Sequence, residues 1–112
     1  KEVAVVVALL EQALGDRLKG VLESMRQEMP QIADVRGLGA MVAVEFNQPG
    51  SGEPDAEFTK KVQAEALKRR LILLTCGVNA NVVRFLFPLT IQQPVFDEAM
   101  DVLRAALRAA AA

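Results

Sequence analysis

The stretch Asn81-Val82-Val83-Arg84-Phe85-Leu86-Phe87-Pro88-Leu89 carries a single charge, Arg84, in an otherwise apolar, β-branched and aromatic run. That composition predicts a strand over residues 82–87. Alternation places Val83, Phe85 and Phe87 on one face and Val82, Arg84 and Leu86 on the other. The chain must therefore build a sheet whose aromatic side is covered and whose other side tolerates a guanidinium. A strand this apolar is expected to be at least half buried, and an unpartnered buried charge is too costly to keep. A carboxylate is the natural partner, gripped through two parallel hydrogen bonds. Either the protein or a ligand supplies it. The alternative is an arginine on the exposed sheet face, lying over its neighbours. In either case Arg84 points to the uncovered face, where a larger partner domain has room to pack.

The rest of the chain supplies the covering layer. Residues 2–29 predict one long helix, with Val3, Val7, Leu10, Leu14, Leu18, Val21 and Met25 at spacings of three and four. Gly15 and Gly20 weaken its middle by ~1 kcal/mol each relative to Ala, which leaves open whether it runs whole or broken, and Pro30 stops it. Residues 32–38 and 40–47 predict two strands joined at Gly37-Leu38-Gly39, with Glu45 marking the polar side of the second. Residues 48–54 form a surface loop too short to link domains. A second helix spans residues 55–70, with Pro54 as a tolerated first-turn proline and Phe58, Val62, Ala66 and Leu67 facing inward. Residues 71–75 predict a short apolar strand and 77–81 a turn. Pro94 opens a third helix carrying Phe96, Met100, Leu103 and Leu107 on one stripe, and residues 109–112 are expected to fray. The order is αββαββα. It predicts an α+β two-layer domain, a mainly antiparallel four-stranded sheet with helices on one face.

At 112 residues the chain makes one domain and not two. With a net charge of −1, no basic block, no Trp and no Tyr, it offers neither the electrostatic footprint nor the stacking surface of a nucleic-acid binder, and nothing directs it to a membrane. There is one cysteine and no histidine. No internal disulfide is possible, which fits a reducing, cytoplasmic setting. No metal site is expected, and a Ser-His or Cys-His nucleophile pair cannot be assembled from these residues. The start at Lys1-Glu2, inside a helical pattern, is that of a piece of a longer protein or of a processed chain.

Three further features compete for a function. Arg36-Gly37-Leu38-Gly39 has two glycines two apart, but no helix follows, so phosphate cradles are excluded. A bend or bulge between strands is the reading, with Arg36 left as either a surface charge or an interface contact. Cys76 ends an apolar strand without an activating base and reads as a small buried or half-buried thiol. Lys1, Lys19, Lys60, Lys61 and Lys68 all fall on predicted helices, and none occupies the apolar strand-end pocket expected of a Schiff-base lysine.

Three segments together carry a resemblance. Ile32-Ala33-Asp34-Val35-Arg36-Gly37-Leu38-Gly39-Ala40-Met41-Val42-Ala43-Val44-Glu45-Phe46, then Leu73-Leu74-Thr75-Cys76-Gly77, then Asn81 to Leu89 resemble, in order and spacing, the C-terminal small domain of class III aminotransferases. The likeness is greatest to the bacterial 4-aminobutyrate branch and runs from the first helix to Leu107. It implies a fold-type-I enzyme using pyridoxal 5'-phosphate as electron sink, and transfer of the amino group of 4-aminobutyrate to 2-oxoglutarate. Residues 1–112 would be the small domain alone. The Schiff-base lysine, which shuttles the proton, and the acidic partner of the cofactor would lie in a large domain outside them. No cofactor is then expected on this chain, and the chain by itself should be inactive. The resemblance makes Arg84 the substrate-binding residue, gripping the α-carboxylate of glutamate or 2-oxoglutarate. It also implies a homodimer as the minimal active unit. Where relatives often carry Gly at the end of the second helix, this chain has Arg70, which puts the usual left-handed cap in doubt. Two alternatives stay open. One is another class III activity, of ornithine, acetylornithine or 5-aminovalerate type. The other is a free-standing α+β binding or dimerisation module.

Overall fold

Apolar residues at helical spacing on both sides of two strand pairs leave one economical arrangement, and the computed structural model adopts it. It describes residues 2–39, 41–86 and 91–112. The elements are α1 (Glu2–Glu28), β1 (Ile32–Leu38), β2 (Met41–Phe46), α2 (Ala56–Lys68), β3 (Leu74–Cys76), β4 (Val82–Leu86) and α3 (Gln93–Ala111). The four strands form one sheet in the order β1-β2-β4-β3, every neighbouring pair antiparallel. The expected αββαββα order and the two-layer α+β class are both present. The expected end of the fourth strand at Phe87, the following Pro88-Leu89 and the side chains of Val3 and Val7 lie outside the described residues.

The core lies between the inner sheet face and the helices. Val42, Val44 and Phe46 of β2 and Val83 and Phe85 of β4 are buried against Leu18, Leu22 and Met25 of α1, Met29 just after it, and Phe58, Val62 and Ala66 of α2. Phe46 and Phe58 meet edge to face with centroids 5.2 Å apart. Helix α3 adds Phe96, Met100, Leu103, Ala106, Leu107 and Ala110 and packs chiefly on α2. It is tied to α1 by Arg17–Asp97 at 2.8 Å, by the Arg17 guanidinium 4.6 Å over the Phe96 ring, and by Arg108–Glu28 at 3.0 Å.

Several boundaries differ from the sequence expectation for local reasons. Of the two readings of the first helix, whole or broken, α1 is whole through Gly15 and Gly20, held by the buried stripe Leu18, Leu22 and Met25, and ends at Glu28 rather than residue 29. Leu10, expected on that stripe, is exposed, as is Leu67 on α2. Helix α2 runs Ala56–Lys68 rather than over residues 55–70: Asp55 is its N-cap, and its Oδ1 accepts from the Phe58 N–H at 3.0 Å. Helix α3 continues to Ala111, since Ala110 extends its buried stripe, so the expected fraying from residue 109 is not seen.

The end of α2 explains the largest shift. Arg70 takes the left-handed conformation (φ 67), the Arg70 N–H donates to the Leu67 carbonyl, and the Leu71 N–H donates to the Ala66 carbonyl. This is the Schellman closure, made by an arginine where glycine is usual. It uses Leu71 as a cap residue, so β3 begins only at Leu74 rather than at residue 71.

Candidate functional site

The β1–β2 hairpin sets what stands on the outer face. Pairing closes at Leu38↔Met41, with Gly39 at φ 58 in the turn. At Gly37 an added Cβ would lie 2.3 Å from the Met41 carbonyl oxygen and 2.8 Å from the Val42 Cα, so only glycine lets the strands approach there. The two glycines therefore shape the turn itself, while the bulge expected near them lies at Ala33, between Ile32 and Asp34.

From this register, Arg36 pairs with Ala43, Ala43 with Arg84, and Arg84 with Leu74. One row thus crosses all four strands with an arginine on each side of Ala43. The next row runs Asp34, Glu45, Val82, Cys76. Arg84 is exposed, and among the described residues its side chain makes neither a hydrogen bond nor an ion pair. The sequence argument treated it as a charge in need of a partner because the strand is apolar. In this chain Val83 and Phe85 on the inner side of β4 are buried, as is Val82 on the outer side, but Arg84 itself is exposed, so water reaches the guanidinium. Met41 and Leu74, its neighbours on the same face, are also exposed, at 53% and 58%.

Arg36 behaves oppositely. Its Nη1 donates to Asp34 Oδ2 at 3.0 Å and to Glu45 Oε1 at 3.2 Å. Asp34 first, and Glu45 after it, hold the guanidinium protonated even more firmly than usual against a slight desolvation. The other oxygen of Glu45 accepts from Asn47 Nδ2 at 3.4 Å. Asn47 in turn accepts from the Nδ2 of the buried Asn81 at 3.0 Å, and that same Nδ2 donates to the Phe46 carbonyl at 3.1 Å. A polar chain Asn81–Asn47–Glu45–Arg36–Asp34 therefore runs across the face beside Arg84. Sequence reasoning left Arg36 open and gave Asn81 no structural part. The signal was present in the alternation of Asp34 and Arg36, but it became usable only with the hairpin register.

Cys76 is half-buried at the end of β3, as expected. Lys60, Lys61 and Lys68 are exposed on α2, and Lys68 is paired with Glu65 at 2.8 Å. Lys19 lies on α1, 4.0 Å from Asp16. None of these lysines is enclosed, and Lys1 lies outside the described residues. Two open depressions, of about 260 Å³ beside Lys60, Gln63 and Leu73 and about 320 Å³ between Arg70 and Val95, do not include Arg84. The arginine stands on an open sheet face. No group of metal-ligating side chains and no helix long and apolar enough to cross a membrane occurs among the described residues.

Residues 7–107 match the family model for class III aminotransferases. The chain belongs to the class III aminotransferase family. It is 42% identical over 98 residues to the 4-aminobutyrate aminotransferase GabT of Escherichia coli, covering 85% of this chain and 23% of that protein. It is 40% identical over 92 residues to the 5-aminovalerate aminotransferase DavT of Pseudomonas putida, covering 82% of this chain and 22% of the relative. The chain thus spans about a quarter of the relatives it matches. Among solved structures, the lysine aminotransferase of Mycobacterium tuberculosis superimposes with a TM-score of 0.75 at 26% identity, over 90% of this chain and 21% of that one. A phospholyase from Arthrobacter superimposes at 0.80 and 23% identity, over 88% and 24%, which establishes the likeness of fold.

Proposed function

We propose that this chain is the C-terminal small domain of a pyridoxal-phosphate-dependent aminotransferase that transfers the amino group of 4-aminobutyrate to 2-oxoglutarate, giving succinate semialdehyde and glutamate. Arg84 is the residue of this domain that binds the α-carboxylate of the dicarboxylic substrate. The observation that carries this reading is the open, unpaired guanidinium of Arg84 on the sheet face not covered by helices. A planar guanidinium matches a carboxylate through two hydrogen bonds and fixes its orientation as well as its distance. Holding one end of the substrate this way restricts where its reacting carbon can lie.

The absence of an enclosed lysine among the described residues supports placing the cofactor site in a large domain outside this chain. The exposed Met41 and Leu74 beside Arg84 support packing of that domain on the same face. The working protein is proposed to be a homodimer in the cytoplasm. A second reading, 5-aminovalerate as amino donor, is favoured by the relatives of that name, whose identity to this chain is nearly the same. The part played by Arg84 is the same in both readings, because the acceptor is shared.

The test is steady-state kinetics of the full-length parent. With Arg84→Ala, kcat/KM for 2-oxoglutarate should fall on the order of 10²-fold or more, the scale of about 2–5 kcal/mol for truncating one side of a desolvated charge pair. Cofactor occupancy, read from its absorbance, should be retained. Unchanged acceptor kinetics would make Arg84 structural. Comparing 4-aminobutyrate with 5-aminovalerate as donors decides between the two readings.

A further inference from the structure

We propose that Arg36 is a positioning residue for Arg84: it holds Glu45 away from Arg84 and so keeps that guanidinium open to a carboxylate ligand. The proposal rests on the reading of Arg84 as a carboxylate clamp. Its basis is the register. Glu45 pairs with Val82, and Ala43 pairs with Arg84, so Glu45 is the diagonal neighbour of Arg84 on the outer face. Diagonal neighbours stand about 7–8 Å apart at Cα, within reach of two long side chains. Ala43, directly opposite Arg84, contributes only a methyl group and puts nothing bulky between them. Asp34, the other carboxylate of this face, is one strand further away.

Glu45 nevertheless makes no bond to Arg84. Its Oε1 accepts from Arg36 at 3.2 Å and its Oε2 from Asn47 at 3.4 Å, so both oxygens point toward the β1 side and the loop. Each holder is itself held. Arg36 is fixed by Asp34 at 3.0 Å, and Asn47 by Asn81, which is only 5% exposed. The face carries two carboxylates and two guanidiniums, yet Arg36 takes both carboxylates and Arg84 takes neither. With the Arg36 charge removed, Arg84 is the guanidinium left on the outer face among the described residues, diagonal to Glu45, and an ion pair between them would compete with any ligand carboxylate.

The experiment is acceptor kinetics of the full-length parent with Arg36→Met, Asn47→Ala, and each combined with Glu45→Gln. Arg36→Met should raise KM for 2-oxoglutarate about fivefold, the scale of one exposed ion pair competing for Arg84, with a smaller effect on kcat. Adding Glu45→Gln should return KM to within about twofold of wild type, because a neutral amide does not compete. Asn47→Ala releases the other oxygen and should give a smaller rise, cancelled by the same second substitution. An Arg36→Met protein with unchanged KM overturns the proposal. So does a raised KM that Glu45→Gln leaves in place, since a merely structural role for Arg36 predicts that outcome. If Arg36→Met fails to fold, the Asn47→Ala pair decides by the same criterion. Arg84→Ala, run alongside, separates the two layers: an effect there without one at Arg36 or Asn47 rejects the positioning role alone, and no effect there removes the clamp reading itself.

Discussion

Arg70 holds the left-handed backbone that glycine occupies at many helix ends, with φ 67 and both closing hydrogen bonds made. A Cβ in that region costs roughly 1–2 kcal/mol, and glycine removes the cost while giving back part of it as unfolded-state entropy. Arg70→Gly should therefore stabilise the chain by about 0.5–1 kcal/mol, seen as a higher urea midpoint with an unchanged slope. A lower midpoint would mean that the arginine side chain makes up for its backbone strain. The same scale shows which residues announce themselves. Arg84 was legible as a candidate because one charge interrupts an apolar run, which no composition average hides. Its exposure was less legible, since an apolar strand says that one face is buried without saying that the other is. Arg36 was legible only as a surface charge or an interface contact: two arginines of the same sheet row differ in their neighbours, and neighbours depend on pairing. Asn81 lay in a turn-like stretch where asparagine is common, so its buried bonds to Phe46 and Asn47 had no separate signature.

Among the elements, the β1–β2 hairpin has the strictest steric requirement. A Cβ on Gly37 would meet backbone atoms, the Met41 oxygen at 2.3 Å and the Val42 Cα at 2.8 Å, and backbone cannot rotate aside. Gly37→Ala should destabilise the chain by about 1–3 kcal/mol, the scale of overpacking, measured by urea unfolding. It should also disturb the Arg36–Glu45 pair, which depends on the register closed by this turn; unaltered stability would show that the hairpin has slack. Glycine spacing made the turn readable in the sequence, while the bulge at Ala33 carried no such mark. Element types were likewise readable from periodicity, and the errors fall where neighbouring signals overlap. Leu71, Ile72 and Leu73 look like the start of a strand, but Leu71 is used by the α2 cap, and β3 keeps only Leu74–Cys76. The inner stripe of α1 is centred on Leu18, Leu22 and Met25 rather than running through Leu10, because only the sheet decides which side of a helix with apolar residues on more than one side is buried.

For the molecule as a whole, the question is how much of a binding site one covered sheet can make. Helices α1 and α2 cover the inner face, with α3 packed chiefly on α2, and the outer face leaves Arg84 exposed beside exposed Met41 and Leu74. An ion pair with an arginine in that setting is worth about 0–1 kcal/mol, because water competes for both partners and salt screens them. A dissociation constant of 1 mM already requires about 4 kcal/mol. This chain therefore lacks most of the free energy needed to hold a dicarboxylate, although it carries the residue proposed to recognise one. In the parent, a large domain closing over the face would exclude water, lower the local dielectric and strengthen the same pair. The expected result is that the Arg84 side-chain N–H resonance of this chain moves without saturating as 2-oxoglutarate is raised to about 10 mM. The chain alone should also form no glutamate, whereas the full-length protein should half-saturate somewhere between about 1 μM and 1 mM. Saturable binding to this chain below about 1 mM would show that the open face is already a complete site, and the large domain would then be needed for the chemistry but not for recognising the acceptor.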